Sequence, residues 1–225
     1  MCPASSLLEV GGSTSTRATV AGRTCAAGMS RRTSPRNDDF FAATPPLEAL
    51  RLLLSHMASH SGELKIEVID ARKAHLHAFV DRAIFVHLPP EDARPGFCAR
   101  LRRCLYGTRD APKRWEAFLA DQLRKLGFAQ GRASPCCFQH SSRDLRCAVH
   151  GDDFVFAGPV GELNWARAMM AECFLTKVVG RLGGGAGEVH ELRILNRIVR
   201  WADDGLRCEA GPRHAEIVVR GLGAV

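Results

Sequence analysis

The apolar and polar positions fall into short periods that change along the chain. Thr44-Pro45-Pro46 has the form of a helix start, and Leu47, Leu50, Leu54 and Met57 then share one helical face. After Gly62, the run Leu64–Ile69 reads as a strand that ends at Asp70, and Ala83–Val86 as a second short strand stopped by Pro89-Pro90. Asp110-Ala111-Pro112 opens the best-defined helix. Its apolar stripe is Trp115, Phe118, Leu119, Leu123 and Leu126, and Gly127 ends it. Two β-prone runs, Leu145–His150 and Asp153–Gly158, flank Gly151-Asp152 and predict a hairpin. A helix is expected from about Glu162 to Phe174, with Trp165 and Met169 on one side. Strands follow near Val189–Leu192 and Ile194–Trp201, then a turn at Asp203-Asp204-Gly205, a strand Leu206–Glu209 and a last helix from Pro212 to about Leu222. Gly183–Gly187 lacks both the G-K-[ST] of a phosphate loop and the spacing of a dinucleotide fingerprint, so it reads as a flexible linker turn.

Composition narrows the class. Hydrophobic residues make up 46% and charged residues 24% of the 225 positions, which are globular values. No apolar run approaches the ~18 residues of a membrane span, and the amino terminus has no signal-peptide core, so no membrane partner is expected. The nine cysteines include no C-x-x-C and read as reduced intracellular thiols. The expected location is cytoplasmic or nuclear. Residues 1–37 are rich in Ser, Thr, Ala, Gly and Arg and cannot bury a core, so they read as a disordered tail, with a composition that also resembles an organelle transit peptide. The folded domain is expected over 38–225. The tail holds five arginines and one acid, so more than half of the net charge of +7 sits there. The folded part is nearly balanced, except that residues 94–114 carry seven bases against Asp110 alone. That cluster reads either as a solvated face or as a phosphate-facing surface.

Three adjacent aspartate pairs occur, and two have ordinary explanations. Asp203-Asp204 belongs to a turn, and Asp38-Asp39 borders the tail. Asp152-Asp153 differs, because apolar strands flank it on both sides. Two like charges at the tip of a partly buried hairpin repel unless a cation offsets them, and a hard ion such as Mg²⁺ suits carboxylate oxygens and phosphates. A two-metal centre needs a further carboxylate, and Asp70 at a strand end is the best candidate.

The order of these segments resembles the reverse transcriptase domain of copia-type long-terminal-repeat retrotransposons. Asp70–Leu76 is similar to that family's D-V-K-T-A-F-L, and Ile84–Pro90 to I-Y-M-K-Q-P-P. Leu101–Trp115 is similar to K-L-K-K-S-L-Y-G-L-K-Q-A-P-R-x-W, with Tyr106-Gly107, Ala111-Pro112 and Trp115 at the family's spacing. Leu126-Gly127-Phe128 and Ser134–Phe138 continue the series, and Val149–Asp153 stands where the family has Y-V-D-D. The resemblance implies an α+β, palm-like antiparallel sheet with helices on one face, and incomplete fingers and thumb. It also implies an RNA-directed DNA polymerase working on an RNA or DNA template with a primer and deoxynucleoside triphosphates. Asp70, Asp152 and Asp153 would be the catalytic ligands of two Mg²⁺ or Mn²⁺ ions. His75, Tyr106, Gly107, Arg109 and Lys177 would contact nucleotide or template. Val189–Trp201 falls where the family places its primer grip.

Departures from the pattern are informative. His75 replaces the aromatic Phe or Tyr that excludes a ribose 2′-hydroxyl, which implies weak sugar discrimination. His150-Gly151 replaces Tyr and a small apolar residue, and the resulting Gly-Asp-Asp is also the signature of viral RNA-dependent RNA polymerases. The basic finger strand has no clear counterpart. The chain therefore reads as a partial or decaying copy, weakly active or inactive when isolated. A catalytically silent remnant that only binds nucleic acid stays open beside the enzyme reading, as does an RNA-polymerase fragment. Nothing in the pattern speaks to oligomeric state.

Overall fold

A computed structural model describes residues 47–60, 63–86, 98–202, 205–210 and 212–222. The tail 1–37, the pair Asp38-Asp39 and the pair Asp203-Asp204 lie outside these residues. Two compact units are present. The larger contains Thr44–Arg72, Leu123–Ala171 and Leu175–Val225, and the smaller includes Lys73–Gln122 and Glu172–Phe174.

The larger unit is built on six antiparallel strands, β1 (Leu64–Ala71), β4 (Ala129–Gln130), β5 (Cys137–His140), β6 (Leu145–His150), β7 (Asp153–Pro159) and β8 (Thr176–Leu182), while β2 (Phe85–Val86) and β3 (Ala99–Arg100) belong to the smaller unit. Their spatial order is β4-β5-β6-β7-β1-β8. β1 and β7 are interior strands and are buried at most positions, so both of their faces must be covered. On one face, helix α1 (Leu47–Ala58) sets Leu50, Leu53, Leu54 and Met57 against Ile66, Val68, Val155 and Ala157. A second sheet, β9 (Glu191–Ile194), β10 (Arg197–Ala202) and β11 (Gly205–Ala210), adds Leu192, Ile194 and Val199 to the same core. On the other face, helix α4 (Val160–Cys173) buries Leu163, Ala166 and Met170, and its Trp165 stacks on Phe128, which meets Phe156. The α+β class and the antiparallel sheet are as expected, with helices on both faces of the sheet instead of one.

Buried charge is concentrated on the α4 side. Glu67 is 0% exposed. It accepts two bonds from Arg167 of α4, at 2.7 and 2.6 Å, and one from Arg181 of β8 at 2.7 Å. Arg181 also donates to Asn164.

Two local readings need correction. Leu195 and Asn196, within a run read as continuous strand, both have positive φ (48° and 60°) and form the two-residue loop between β9 and β10. Asn suits that conformation and Leu does not, so the apolar run concealed the turn. Gly183–Gly187 is a packed turn, not a slack linker. Glu188 accepts from Gly185 N–H at 2.8 Å and pairs with Lys65, and a Cβ on Gly183 would lie 2.0 Å from the Glu188 carboxylate.

The smaller unit holds α2 (Ala74–His77), the ribbon β2 (Phe85–Val86) with β3 (Ala99–Arg100), and most of α3 (Ala111–Lys125). Trp115 of α3 is buried against His77, Phe118 and Phe174 in an aromatic cluster. Six described cysteines are free thiols, whereas Cys98 is disulfide-bonded, against the expectation that all are reduced. Among the described residues no helix is long and apolar enough to cross a membrane.

Candidate metal centre and basic surface

The polar end of the central strands is where the predicted aspartates meet. Strand pairing sets Asp70 of β1 directly opposite Asp153 of β7, and on its other side opposite Lys177 of β8. His150 of β6 lies opposite Asp153. Residues paired this way share a face, so His150, Asp153, Asp70 and Lys177 form one row across four strands. Asp152 occupies the second position of the β6–β7 loop, and its carbonyl accepts from Ala71 N–H at 2.8 Å. One ligand oxygen from each of Asp70, Asp152 and Asp153 lies within 4.8 Å of the others.

Gly151 explains part of the unusual sequence before the aspartates. It has φ +63° at the first position of a two-residue hairpin loop, where a side chain is strained. No neighbouring atom lies within 4 Å of a Cβ built there, so the requirement is one of backbone conformation alone.

The electrostatics suit a hard cation. The Asp153 carboxyl is held above its ordinary value, first by burial and then by the like charges of Asp152 and Asp70, with His150 opposing them. The folded state therefore favours protonated Asp153. As pH rises through the ordinary carboxylate range, the unfolded chain loses this proton first, so ionisation of Asp153 lowers stability. A bound divalent ion favours the ionised form. Mg²⁺ affinity, measured by calorimetric titration, is accordingly expected to rise with pH through and above the ordinary carboxylate range. Affinity that is flat or falling over that interval would contradict this ligand set.

The remaining predicted contact residues sit in the smaller unit, apart from Lys177, which is exposed on β8. The His75 ring lies against Tyr106, with centroids 4.5 Å apart. Gly107 has φ +88°, and Arg109 is exposed. The same unit presents Phe79, Tyr106 and Phe85 to solvent, at 59%, 51% and 40% exposure. Arg103 stacks over Phe79 at 3.5 Å from the ring centroid and donates to the His77 carbonyl, while Arg100 pairs across the ribbon with Phe85. The acids nearby are already engaged: Arg82 forks onto Asp110 at 3.0 Å, and Arg114 pairs with Asp81. Arg100, Arg102 and Lys113 form no ion pair among the described residues. Basic side chains interleaved with open aromatic rings are the surface that unpaired nucleic acid stacks on. The sequence exposed the basic cluster but not the aromatic share of it, because nothing in the residue pattern marks Phe79 and Phe85 as solvent-facing.

Comparison with known proteins identifies the family. Residues 14–187 match the family described as "Reverse transcriptase (RNA-dependent DNA polymerase)". A Pol polyprotein from transposon RE1 of Arabidopsis thaliana is 23% identical over 141 residues, covering 60% of this chain and 10% of the polyprotein. A putative transposon Ty5-1 protein of Saccharomyces cerevisiae is 28% identical over 96 residues, covering 40% of this chain and 31% of that protein. Among solved structures, a foamy viral protease-reverse transcriptase in complex with RNA/DNA hybrid matches with TM-score 0.40 and 12% identity, over 68% of this chain and 18% of that one. A Candida albicans telomerase matches with TM-score 0.45 and 10% identity, over 77% and 35%.

Proposed function

The chain belongs to the copia-type reverse transcriptase family, and from that premise we propose that it carries out metal-dependent nucleotidyl transfer to a primer 3′-hydroxyl. The observation that carries this reading is the meeting of Asp70, Asp152 and Asp153 oxygens within 4.8 Å at the end of β1 and the β6–β7 hairpin. All three donors are hard carboxylate oxygens, the kind that Mg²⁺ or Mn²⁺ takes while keeping room for phosphate. Two such ions, when bound, would lower the pKa of the 3′-hydroxyl and neutralise the triphosphate and leaving pyrophosphate. The protein's part is positional. Strand pairing fixes Asp70 and Asp153 side by side, and the tight Gly151 loop brings Asp152 to the same point. Lys177, level with Asp70 on the neighbouring strand, is suited to donate a proton or a hydrogen bond to departing phosphate oxygens.

We assign the template to the basic and aromatic surface of the smaller unit. Arg100, Arg102 and Lys113 would neutralise phosphates, and Phe79 and Phe85 would stack on unpaired bases. Binding to a single strand is then expected to weaken steeply with salt, with a log–log slope of about 0.7 per phosphate contacted. The double substitution Arg100→Ala with Arg102→Ala should reduce that slope by about one to two, read by fluorescence anisotropy at several salt concentrations. An unchanged slope would make the cluster a solvated face.

Primer extension on a primed RNA template tests the activity itself. Short, divalent-dependent addition is expected from this chain, since in-line placement of primer and triphosphate is exacting and small misplacements cost orders of magnitude. No addition with either Mg²⁺ or Mn²⁺, on primed RNA and primed DNA alike, would favour the silent remnant that only binds nucleic acid.

A further inference from the structure

The row of paired residues contains one donor that a carboxylate metal centre does not need. His150 closes the β6–β7 hairpin directly opposite Asp153, which itself faces Asp70. Cβ atoms of directly opposed residues lie about 4.5–5.5 Å apart and point to the same side of a sheet. The two-residue loop at Gly151-Asp152 fixes this pairing, so the imidazole cannot drift from the aspartates with a mobile loop. The side chain is exposed, and among the described residues no hydrogen bond ties its ring elsewhere. The ring stands outside the 4.8 Å carboxylate cluster, on a side chain exposed to solvent.

We infer that His150 adds a nitrogen donor to the cation held by Asp70, Asp152 and Asp153, so that the centre favours Mn²⁺ or another first-row transition ion over Mg²⁺. This rests on the metal-dependent reading given above. The chemistry follows from donor type. An imidazole nitrogen binds first-row transition ions well. Mg²⁺ is hard, sheds water reluctantly and gains little from nitrogen. Carboxylates alone suit Mg²⁺ and Mn²⁺ alike as hard oxygen donors, whereas one imidazole among them shifts the preference further toward the transition ion.

Pulsed electron paramagnetic resonance of Mn²⁺ bound to the full chain at neutral pH tests the assignment. The wild type is expected to show nitrogen coupling that changes to the ¹⁵N pattern when histidine is ¹⁵N-labelled. His150→Phe should abolish the coupling and weaken Mn²⁺ binding about tenfold, with Mg²⁺ affinity changed less than about twofold. Bound Mn²⁺ without nitrogen coupling in the wild type, or coupling that survives His150→Phe, would overturn the role of His150 while leaving the carboxylate centre standing. Mn²⁺ binding that is absent, or indifferent to Asp152→Asn, would overturn the metal centre and His150 with it. The labelled wild type gives the answer even if the variant fails to fold.

Discussion

Asp152→Asn is expected to lower nucleotide incorporation by at least about 10³-fold while leaving the fold as stable as before, or more so. Asparagine keeps one oxygen donor and nearly the same shape, but it removes the charge that a divalent ion needs. The stability half of the prediction comes from the electrostatics of the apo cluster. Asp153 is held above its ordinary value by burial and by the charges of Asp152 and Asp70. Neutralising Asp152 relieves part of that repulsion, and its own side chain is exposed, so no packing is lost. Single-turnover primer extension and a thermal melt on the same preparation separate the two effects. A rate loss accompanied by a falling melting temperature would make Asp152 a structural residue. Incorporation that survives would show that the chemistry lies elsewhere.

The largest loss of stability is expected at Glu67, which lies in the middle of β1 before Asp70. Glu67 is fully buried and answers both Arg167 and Arg181, whose side chains are 43% and 11% exposed. Removing one partner of a buried ion pair leaves the other without compensation, at a cost of about 3–5 kcal/mol. Most of that cost falls on Arg181, because Arg167 can turn to water. Glu67→Leu should therefore lower the melting temperature by roughly 10 °C. Glu67→Leu combined with Arg181→Met should recover most of the loss, since apolar groups of similar volume replace such pairs with little penalty. A loss below about 1 kcal/mol in the single variant, or no recovery in the double, would mean that the network contributes little beyond packing.

What could be read from the sequence follows the range of the interactions. The β6–β7 hairpin was legible because apolar runs flank Gly151-Asp152 directly, and helix α3 because Trp115, Leu119 and Leu123 repeat within a few turns. The pairing of Asp70 with the hairpin tip was open to inference, since a strand-ending carboxylate can satisfy a repulsive pair only from a neighbouring strand. Strand β8 was harder. It is an edge strand with exposed Val178 and Val179, and its register on β1 shifts next to Gly180, so it has neither clean alternation nor a continuous apolar run. The burial of Glu67 was not legible, because its partners stand 100 and 114 residues away. The positive φ of Leu195 was hidden for a different reason, since the residue type argues against the conformation it adopts.

Anomalous diffraction from crystals soaked in Mn²⁺ with primer, template and a non-reactive triphosphate tests the central claim most directly. The account predicts anomalous density bonded to carboxylate oxygens of both Asp70 and Asp152, with Asp153 beside them. Density elsewhere, or none near these residues at saturating Mn²⁺, would contradict it.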